Sequence, residues 1–138
     1  MSNPSAVDAT DPVRSIAVWD PERVSSGDTV EQLAQALVDA NCGSMLVETI
    51  DGALAIVTER DVLRAVAAGT SGSDWVTDVM TREVLSVPAG ERICDAADLM
   101  LGASIRHVIV QDEDTERVGL VSMRDLIEPL LNTATGRG

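Results

Sequence analysis

The sequence predicts a mixed α/β (α+β) fold built from two copies of one helix–strand–strand–helix unit. The stretches IVTERDVL (56–63) and LVSMRDLI (120–127) repeat a hydroxyl-x-Arg-Asp core at an offset of 64 residues. Upstream, an offset of 63 aligns apolar residues in the same order, from Val13 on Val76 to Val47 on Val110. Because both the apolar order and the charged turn recur, we interpret the copies as tandem structural repeats.

The composition is that of an acidic globular protein. The 138 residues are 45% hydrophobic, and the formal net charge is -13, with arginine supplying all ten basic side chains. This charge repels phosphate polymers and anionic lipid, so we expect neither a nucleic-acid nor a membrane partner. We find no signal peptide and no apolar stretch near the roughly 18 residues of a membrane span, which predicts a cytoplasmic protein. Cys42 and Cys94 lack zinc or redox spacing, so we expect buried thiols and no metal site.

The first helix of each copy is predicted from apolar residues at helical spacing. These residues are Val30, Leu33, Ala34, Leu37 and Val38 in the first copy, and Ile93, Ala96, Ala97, Met100 and Leu101 in the second. Asp28 and Glu31 have the spacing of a capping pair, so we expect them to cap the first of these helices.

A β-hairpin is predicted after each of these helices, because two short apolar runs flank a polar turn. The turn reads ETIDG in the first copy and QDEDTER in the second. A second helix is expected to begin at Thr58 and at Ser122. Gly69 should end the first of these, and Pro129 should kink or end the other early.

These elements predict five segments. They are a flexible N-terminal segment (1–12), the first repeat (13–69), a linker (70–75), the second repeat (76–132) and a flexible tail (133–138).

The paired hydroxyl and aspartate residues admit two interpretations. A Thr or Ser followed three residues later by an acid is a common capping signature at a helix start. The same helix start offers free amides and a positive dipole end to an anion, while a carboxylate can accept two hydrogen bonds from a sugar diol. Both roles, cap and ribose-phosphate clamp, can hold for Thr58 with Asp61 and for Ser122 with Asp125.

At these residues the chain resembles a known family. AIVTERDVLRA, GLVSMRDLIEPL and the linker VTDVMTREVLSV look like parts of a tandem pair of CBS domains, named after cystathionine β-synthase. The resemblance covers about residues 13 to 131. It implies two β-α-β-β-α repeats related by a pseudo-twofold axis, with clefts between them that bind adenine nucleotides or related adenosyl ligands.

The resemblance also implies roles for individual residues. Thr58 and Ser122 would contact phosphate or ribose, and Asp61 and Asp125 would hold the ribose hydroxyls. Strand residues would border the base, namely Val24, Met45, Ile56, Val87, Val108 and Leu120. The pair Arg106-His107 stands where many nucleotide-binding members carry a basic pair, and His107 is either a phosphate contact or a residue at the sheet edge.

We therefore expect a stand-alone regulatory module that binds AMP, ADP, ATP or S-adenosylmethionine and signals to an unknown effector protein. The alternative is a structural or dimerisation module with empty clefts, in which the Thr/Ser–Asp pairs only cap helices. We do not expect an enzyme, because phosphate-loop, metalloprotease and nucleophile-elbow motifs are missing from the sequence. A homodimer is expected, since apolar residues of the second helices exceed what one interior can cover.

Overall fold

A computed structural model of the chain describes residues 6–82 and 84–134. Four α-helices are present in this part of the chain: α1 (Val30–Ala40), α2 (Glu59–Ala67), α3 (Ile93–Ala103) and α4 (Ile127–Ala134). Its strands are β1 (Val18–Trp19), β2 (Arg23–Ser25), β3 (Ser44–Glu48), β4 (Leu54–Thr58), β5 (Ser86–Pro88), β6 (His107–Asp112) and β7 (Arg117–Ser122). The order β-α-β-β-α thus occurs twice, which confirms the predicted mixed α/β repeats.

Two compact units divide the chain, and only one of them is continuous. The continuous unit is Pro21–Val84, whereas the discontinuous unit joins the chain up to Asp20 to the chain from Leu85 onward. The borders between the units lie after Asp20 and after Val84, inside the predicted repeats 13–69 and 76–132.

The continuous unit contains a three-stranded sheet in the order β2-β3-β4. Strand β2 runs parallel to β3, because α1 connects them, and β3 pairs with β4 as an antiparallel hairpin. Leu33 and Leu37 of α1 pack with Met45, Val47 and Val57 of the sheet to form its hydrophobic cluster.

The discontinuous unit contains a four-stranded sheet in the order β1-β7-β6-β5. Strands β5 and β6 are parallel, β6 and β7 form an antiparallel hairpin, and β1 is added antiparallel at the edge. Ile93 and Met100 of α3 are fully buried against Val108, Val121 and other aliphatic residues of this sheet.

Matched main-chain hydrogen bonds cap the first helix of each repeat. In the continuous unit, the amides of Val30 and Glu31 donate to the carbonyls of Asp74 and Gly72, over 2.8 and 3.0 Å. In the discontinuous unit, the amides of Ile93 and Cys94 donate to the carbonyls of Asp11 and Ala9, over 3.0 and 2.9 Å. Each donor and each acceptor in the continuous unit differs by 63 positions from its counterpart in the discontinuous unit. The repeat therefore begins earlier in the chain than the apolar pattern indicates.

The segments that supply these carbonyls were expected to be loose or to serve as a linker. Residues 9–11 and 72–74 instead satisfy helix amides that would otherwise lack partners, and Ala9 is buried. Residues 1–5 and 135–138, also expected to be flexible, lie outside the described residues.

The helix ends follow local chemistry, with two corrections to the prediction. Helix α1 is capped by Thr29 and Gln32, which form a reciprocal capping box, and not by Asp28 with Glu31. Pro129 does not end the last helix, because the chain first makes a 3₁₀ turn over Met123–Leu126. Pro129 then falls in the first turn of α4, where its missing amide costs no helical hydrogen bond.

Gly69 ends α2 as expected. It adopts a φ of +90°, and the amides of Gly69 and Thr70 donate to the carbonyls of Val66 and Ala65. These two bonds make a Schellman motif, which requires the left-handed conformation that glycine adopts without strain.

Over residues 6–82 and 84–134, no helix is both long and apolar enough to cross a membrane. Cys42 and Cys94 are free and only half-buried, less covered than the sequence predicts. Burial raises the pKa of the Cys42 thiol, so the thiol stays protonated at neutral pH and is a weak nucleophile.

Candidate functional site

Thr58 and Asp61 form a reciprocal capping box at the start of α2. The Asp61 amide donates to the Thr58 hydroxyl oxygen over 3.1 Å, and the Thr58 amide donates to Oδ2 of Asp61 over 2.9 Å. The sequence places the pair here because Thr58 is the last residue of β4 and the chain turns directly into the helix. The predicted capping role is therefore present.

Ser122 and Asp125 repeat this geometry at the end of β7. The Ser122 amide donates to Oδ2 of Asp125 over 2.8 Å, and the Asp125 amide donates to the Ser122 hydroxyl oxygen over 3.3 Å. The turn that follows is the 3₁₀ turn rather than an α-helix. Both pairs are half-buried, so solvent and a ligand can reach part of each side chain.

A second main-chain bond fixes each helix start against the neighbouring strand. The amide of Glu59 donates to the Gly43 carbonyl over 3.0 Å, and the amide of Met123 donates to the Arg106 carbonyl over 2.7 Å. The next residue along, His107, lies opposite Ser122 in the β6–β7 ladder. The structure thus places His107 beside Ser122 in the sheet and the backbone of Arg106 against Met123, at the start of the 3₁₀ turn.

The bonds already made determine what these groups can still bind. Three amides at the start of each turn are occupied, by Oδ2, by a hydroxyl oxygen and by a carbonyl, so an anion bound at any of these three would have to displace its partner. Each hydroxyl acts as an acceptor in these bonds and keeps its own hydrogen for donation. The capping bonds use one oxygen of each carboxylate, which leaves the other as an acceptor for a polar ligand group.

A pocket lies beside the second of these pairs, within the discontinuous unit. Asp125, Glu128, Pro129 and Asn132 line it on the side of α4, and the other lining residues are Ala6, Val7 and Ile16. We call this concavity the Asp125 pocket. Its lining combines the half-buried Asp125 and other polar residues with the apolar side chains of Ala6, Val7 and Ile16.

The N-terminal wall of the Asp125 pocket is fastened to α4 by two hydrogen bonds. The side-chain amide of Asn132 donates to the Val7 carbonyl over 2.8 Å, and the amide of Ala9 donates to the Thr133 hydroxyl oxygen, also over 2.8 Å. Each bond joins residues more than 120 positions apart in the chain. The pocket therefore exists only when both ends of the described chain are in place.

The strand residues that were expected to border a base are all buried. Four of them, Val24, Met45, Val87 and Val108, belong to the hydrophobic clusters that pack on the helices. Ile56 and Leu120 are also buried but lie outside these clusters. Since neighbouring strand residues alternate between faces, Ile56 and Leu120 lie on the sheet face opposite the helices.

The expected cationic residues are more exposed. Arg60, Arg106 and Arg124 are exposed, and His107 is half-buried. No group of three or more His, Cys, Asp or Glu side chains that could hold a metal ion occurs among residues 6–82 and 84–134.

Sequence reasoning missed several residues of the Asp125 pocket. Glu128 and Asn132 lie three and seven positions beyond Asp125, a spacing that places them on one helix face, and this signal was available. Val7 and Ala6 carried no such signal, because nothing in the apolar pattern indicated that residues before Val13 contact the end of the chain.

A comparison with family models matches this chain to the CBS domain over residues 3–68 and again over residues 76–132. The chain belongs to the CBS domain family. The two matched segments coincide with the two β-α-β-β-α repeats, so family, sequence repeat and fold agree.

Curated relatives of this CBS pair vary in length. An uncharacterised 17.7 kDa protein from Acidianus ambivalens is 31% identical over 124 residues, covering 89% of this chain and 75% of the relative. This chain spans 75%, 66% and 43% of the first three curated relatives that it matches. An inosine-5'-monophosphate dehydrogenase from Nitrosopumilus maritimus is 27% identical over 113 residues, which make up 23% of that enzyme.

Solved structures of similar CBS proteins include ligand complexes. A CBS domain protein from Pyrobaculum aerophilum, complexed with AMP, has a TM-score of 0.75 at 28% identity, covering 90% of this chain and 98% of that one. The CBS domain pair of protein MJ0100, in complex with 5'-methylthioadenosine and S-adenosyl-L-methionine, has a TM-score of 0.72 at 25% identity. That match covers 84% of this chain and 96% of the other.

Proposed function

We propose that this CBS pair is a regulatory module that binds an adenosyl ligand and signals the occupancy to a partner protein. The observation that carries the proposal is the Asp125 pocket, in which a carboxylate held by a capping box borders a partly apolar concavity. The ligand complexes of the similar CBS proteins support an adenosyl compound, either an adenine nucleotide (AMP, ADP or ATP) or S-adenosylmethionine.

In this proposal Asp125 has two roles at once. Its Oδ2 keeps the Ser122 amide, while its other oxygen accepts hydrogen bonds from the ribose hydroxyls. Ser122 donates its hydroxyl hydrogen to a ligand oxygen, whereas Arg106, His107 and Arg124 lie outside the walls of the Asp125 pocket. Thr58 and Asp61 would have the roles of Ser122 and Asp125 in the first repeat, where the capping distances match closely.

The signal would pass through the N-terminal wall of the pocket. Residues Ala6 and Val7 line the pocket, and Val7 is fastened to α4 through Asn132. A ligand that contacts both walls favours the fastened arrangement over any in which this segment detaches. Such differential binding is what a regulatory ligand requires, and an effector that reads the N-terminal segment would sense it.

We propose that the module itself performs no catalysis. The chemistry assigned to its residues is hydrogen bonding and charge, and the Cys42 thiol stays protonated. Measurable conversion of any adenosyl ligand by the purified protein would contradict this part of the proposal.

A second candidate function is assembly, supported by exposed apolar residues on the helices that follow the capping boxes. Leu63 and Val66 of α2 are 69% and 61% exposed, and Ile127 and Leu131 of α4 are 54% and 57% exposed. Under this alternative the module serves homodimerisation and its pocket stays empty.

A thermal-shift panel separates the two candidates. The panel contains AMP, ADP, ATP, NAD and S-adenosylmethionine, each tested against the same protein stock. A ligand at 100 times its Kd adds about 2.7 kcal/mol to the free energy of unfolding, which raises Tm by several degrees. We expect at least one adenosyl compound to do so, and unchanged Tm values across the panel would favour the assembly module.

A further inference from the structure

The charges around the Asp125 pocket are unusual for a phosphate site. Its lining includes two carboxylates, those of Asp125 and Glu128, together with the side-chain amide of Asn132. Among the described residues, no arginine or histidine lines it, and Arg106 and His107, expected to serve a phosphate, are not part of its walls. A dianionic group in this pocket would meet like charges rather than partners.

The matched position in the first repeat carries the opposite charge. At the 64-residue offset that aligns Asp61 with Asp125, Glu128 corresponds to Arg64. Both residues lie three positions beyond the aspartate, Arg64 within α2 and Glu128 in the first turn of α4, directly after the 3₁₀ turn. The two repeats therefore keep the same aspartate but reverse the charge beside it.

This reversal bears on which ligand the pocket accepts. If Asp125 holds the ribose hydroxyls, then the 5' carbon, which is bonded to C4' of the sugar ring, lies a few bonds away from them in a pocket that Glu128 also lines. Charges closer than the Debye length, about 8 Å at physiological salt, still interact. The Glu128 carboxylate repels a phosphate at that carbon and attracts a sulfonium. It has no net charge–charge interaction with a neutral thioether.

We propose that the Asp125 pocket is selective for adenosyl ligands whose 5' substituent is cationic or uncharged, and that Glu128 is the residue that disfavours phosphate. This inference rests on the proposed function, since it assumes an adenosyl ligand at Asp125. It narrows the ligand class there to adenosyl sulfonium compounds and 5'-thioadenosines, with nucleotides bound more weakly.

Titration calorimetry with four ligands tests the selectivity. S-adenosylmethionine and S-adenosylhomocysteine differ in one methyl group and the sulfonium charge, and 5'-methylthioadenosine and AMP differ chiefly in the group on the 5' carbon. The protein carries Asp61→Asn throughout, so that the Asp125 pocket dominates binding. We expect S-adenosylmethionine to bind at least tenfold more tightly than AMP.

The variant Glu128→Gln keeps the size of the side chain and removes its charge. It should reduce the tenfold preference by at least threefold, mainly by improving AMP binding and weakening S-adenosylmethionine. Glu113→Gln is the matched control, because it removes one exposed carboxylate from the same unit, in the β6–β7 turn, and should leave the preference unchanged.

The outcomes distinguish this inference from the proposed function. AMP binding as tight as S-adenosylmethionine, or a preference that Glu128→Gln leaves intact, overturns the inference while adenosyl binding stands. No binding of any of the four ligands, together with unchanged Tm values across the thermal-shift panel, overturns the proposed function itself. A preference that Glu113→Gln reduces equally would show an effect of net charge alone, which also overturns the role of Glu128.

Discussion

At the scale of single residues, the cap and the clamp can be separated at Asp125. Asp125→Asn keeps an oxygen that can accept from the Ser122 amide, but it removes the charge that favours two sugar hydroxyls. We expect affinity for the adenosyl ligand found by the thermal-shift panel to fall at least tenfold, about 1.4 kcal/mol. The free energy of unfolding without ligand should change by less, because a neutral capping bond remains.

Asp61→Asn is the matched variant for the stability measurement, since Asp61 makes the same capping bonds in the first repeat. Calorimetry on both variants, with urea unfolding of each, gives affinity and stability separately. Equal affinity in Asp125→Asn and the parent protein would mean that Asp125 serves only as a cap.

Another residue-scale difference between the repeats has a packing cause. Ala55 of the first repeat corresponds to Gly119 of the second. Ala55 pairs with Val47 in the β3–β4 hairpin, and Gly119 pairs with Val110 in the β6–β7 hairpin. A Cβ on Gly119 would lie 3.0 Å from the ring of Trp19, which β1 brings against β7. Gly119 therefore makes room for Trp19, and the ring is covered in turn by the Arg117 guanidinium, 5.1 Å from its centroid.

At the scale of secondary-structure elements, two glycines provide a matched test of the helix ends. Gly69 has a φ of +90° and Gly102 lies within α3, and a Cβ on either would meet no atom within 4 Å. Gly69→Ala should lower the free energy of unfolding by roughly 1 to 2 kcal/mol, the cost of a left-handed alanine. Gly102→Ala should raise it by about 0.5 kcal/mol, because alanine favours the helix.

Urea unfolding of the two variants and the parent measures both effects. Since neither new methyl group touches a neighbour, opposite signs can arise only from the backbone. Two variants of equal stability would contradict the Schellman geometry assigned to the end of α2.

The sequence patterns predicted the helices and capping boxes well, but they did not predict which chain segments bind the helix ends. The spacing of Val30, Leu33 and Leu37 was sufficient for α1, and the repeated Thr/Ser-x-x-Asp was sufficient for both capping boxes. The segments around Ala9 and Gly72 bind through carbonyl oxygens, which every residue type possesses. Their role left no pattern in the side chains, so the N-terminal wall of the Asp125 pocket could not be predicted from the sequence.

At the scale of the whole molecule, we predict a homodimer that uses the exposed residues of α2 and α4. Burying Leu63 and Leu131 against a second copy removes apolar surface from water, whereas a glutamate at either place would bring charge into that surface. Light scattering at micromolar concentrations should give a dimer for the parent protein. Leu63→Glu and Leu131→Glu should each shift it toward the monomer.

Val38→Glu is the comparison variant, because Val38 is 72% exposed on α1, outside the proposed surface. It introduces the same charge and should leave the dimer intact. A monomeric mass for the parent protein across this concentration range would remove the prediction.

The division into a continuous and a discontinuous unit has a consequence for how the chain is made. The ribosome completes Pro21–Val84 before any residue from Leu85 onward exists, so the continuous unit can form while β1 still lacks its partner strand. Strand β1 can pair only after β7 has been synthesised. The Val7 carbonyl can accept its hydrogen bond only after Asn132, near the end of the described chain, has been synthesised. The Asp125 pocket is thus completed only after α4 is made, and a chain truncated before Ile127 would contain the continuous unit but not this pocket.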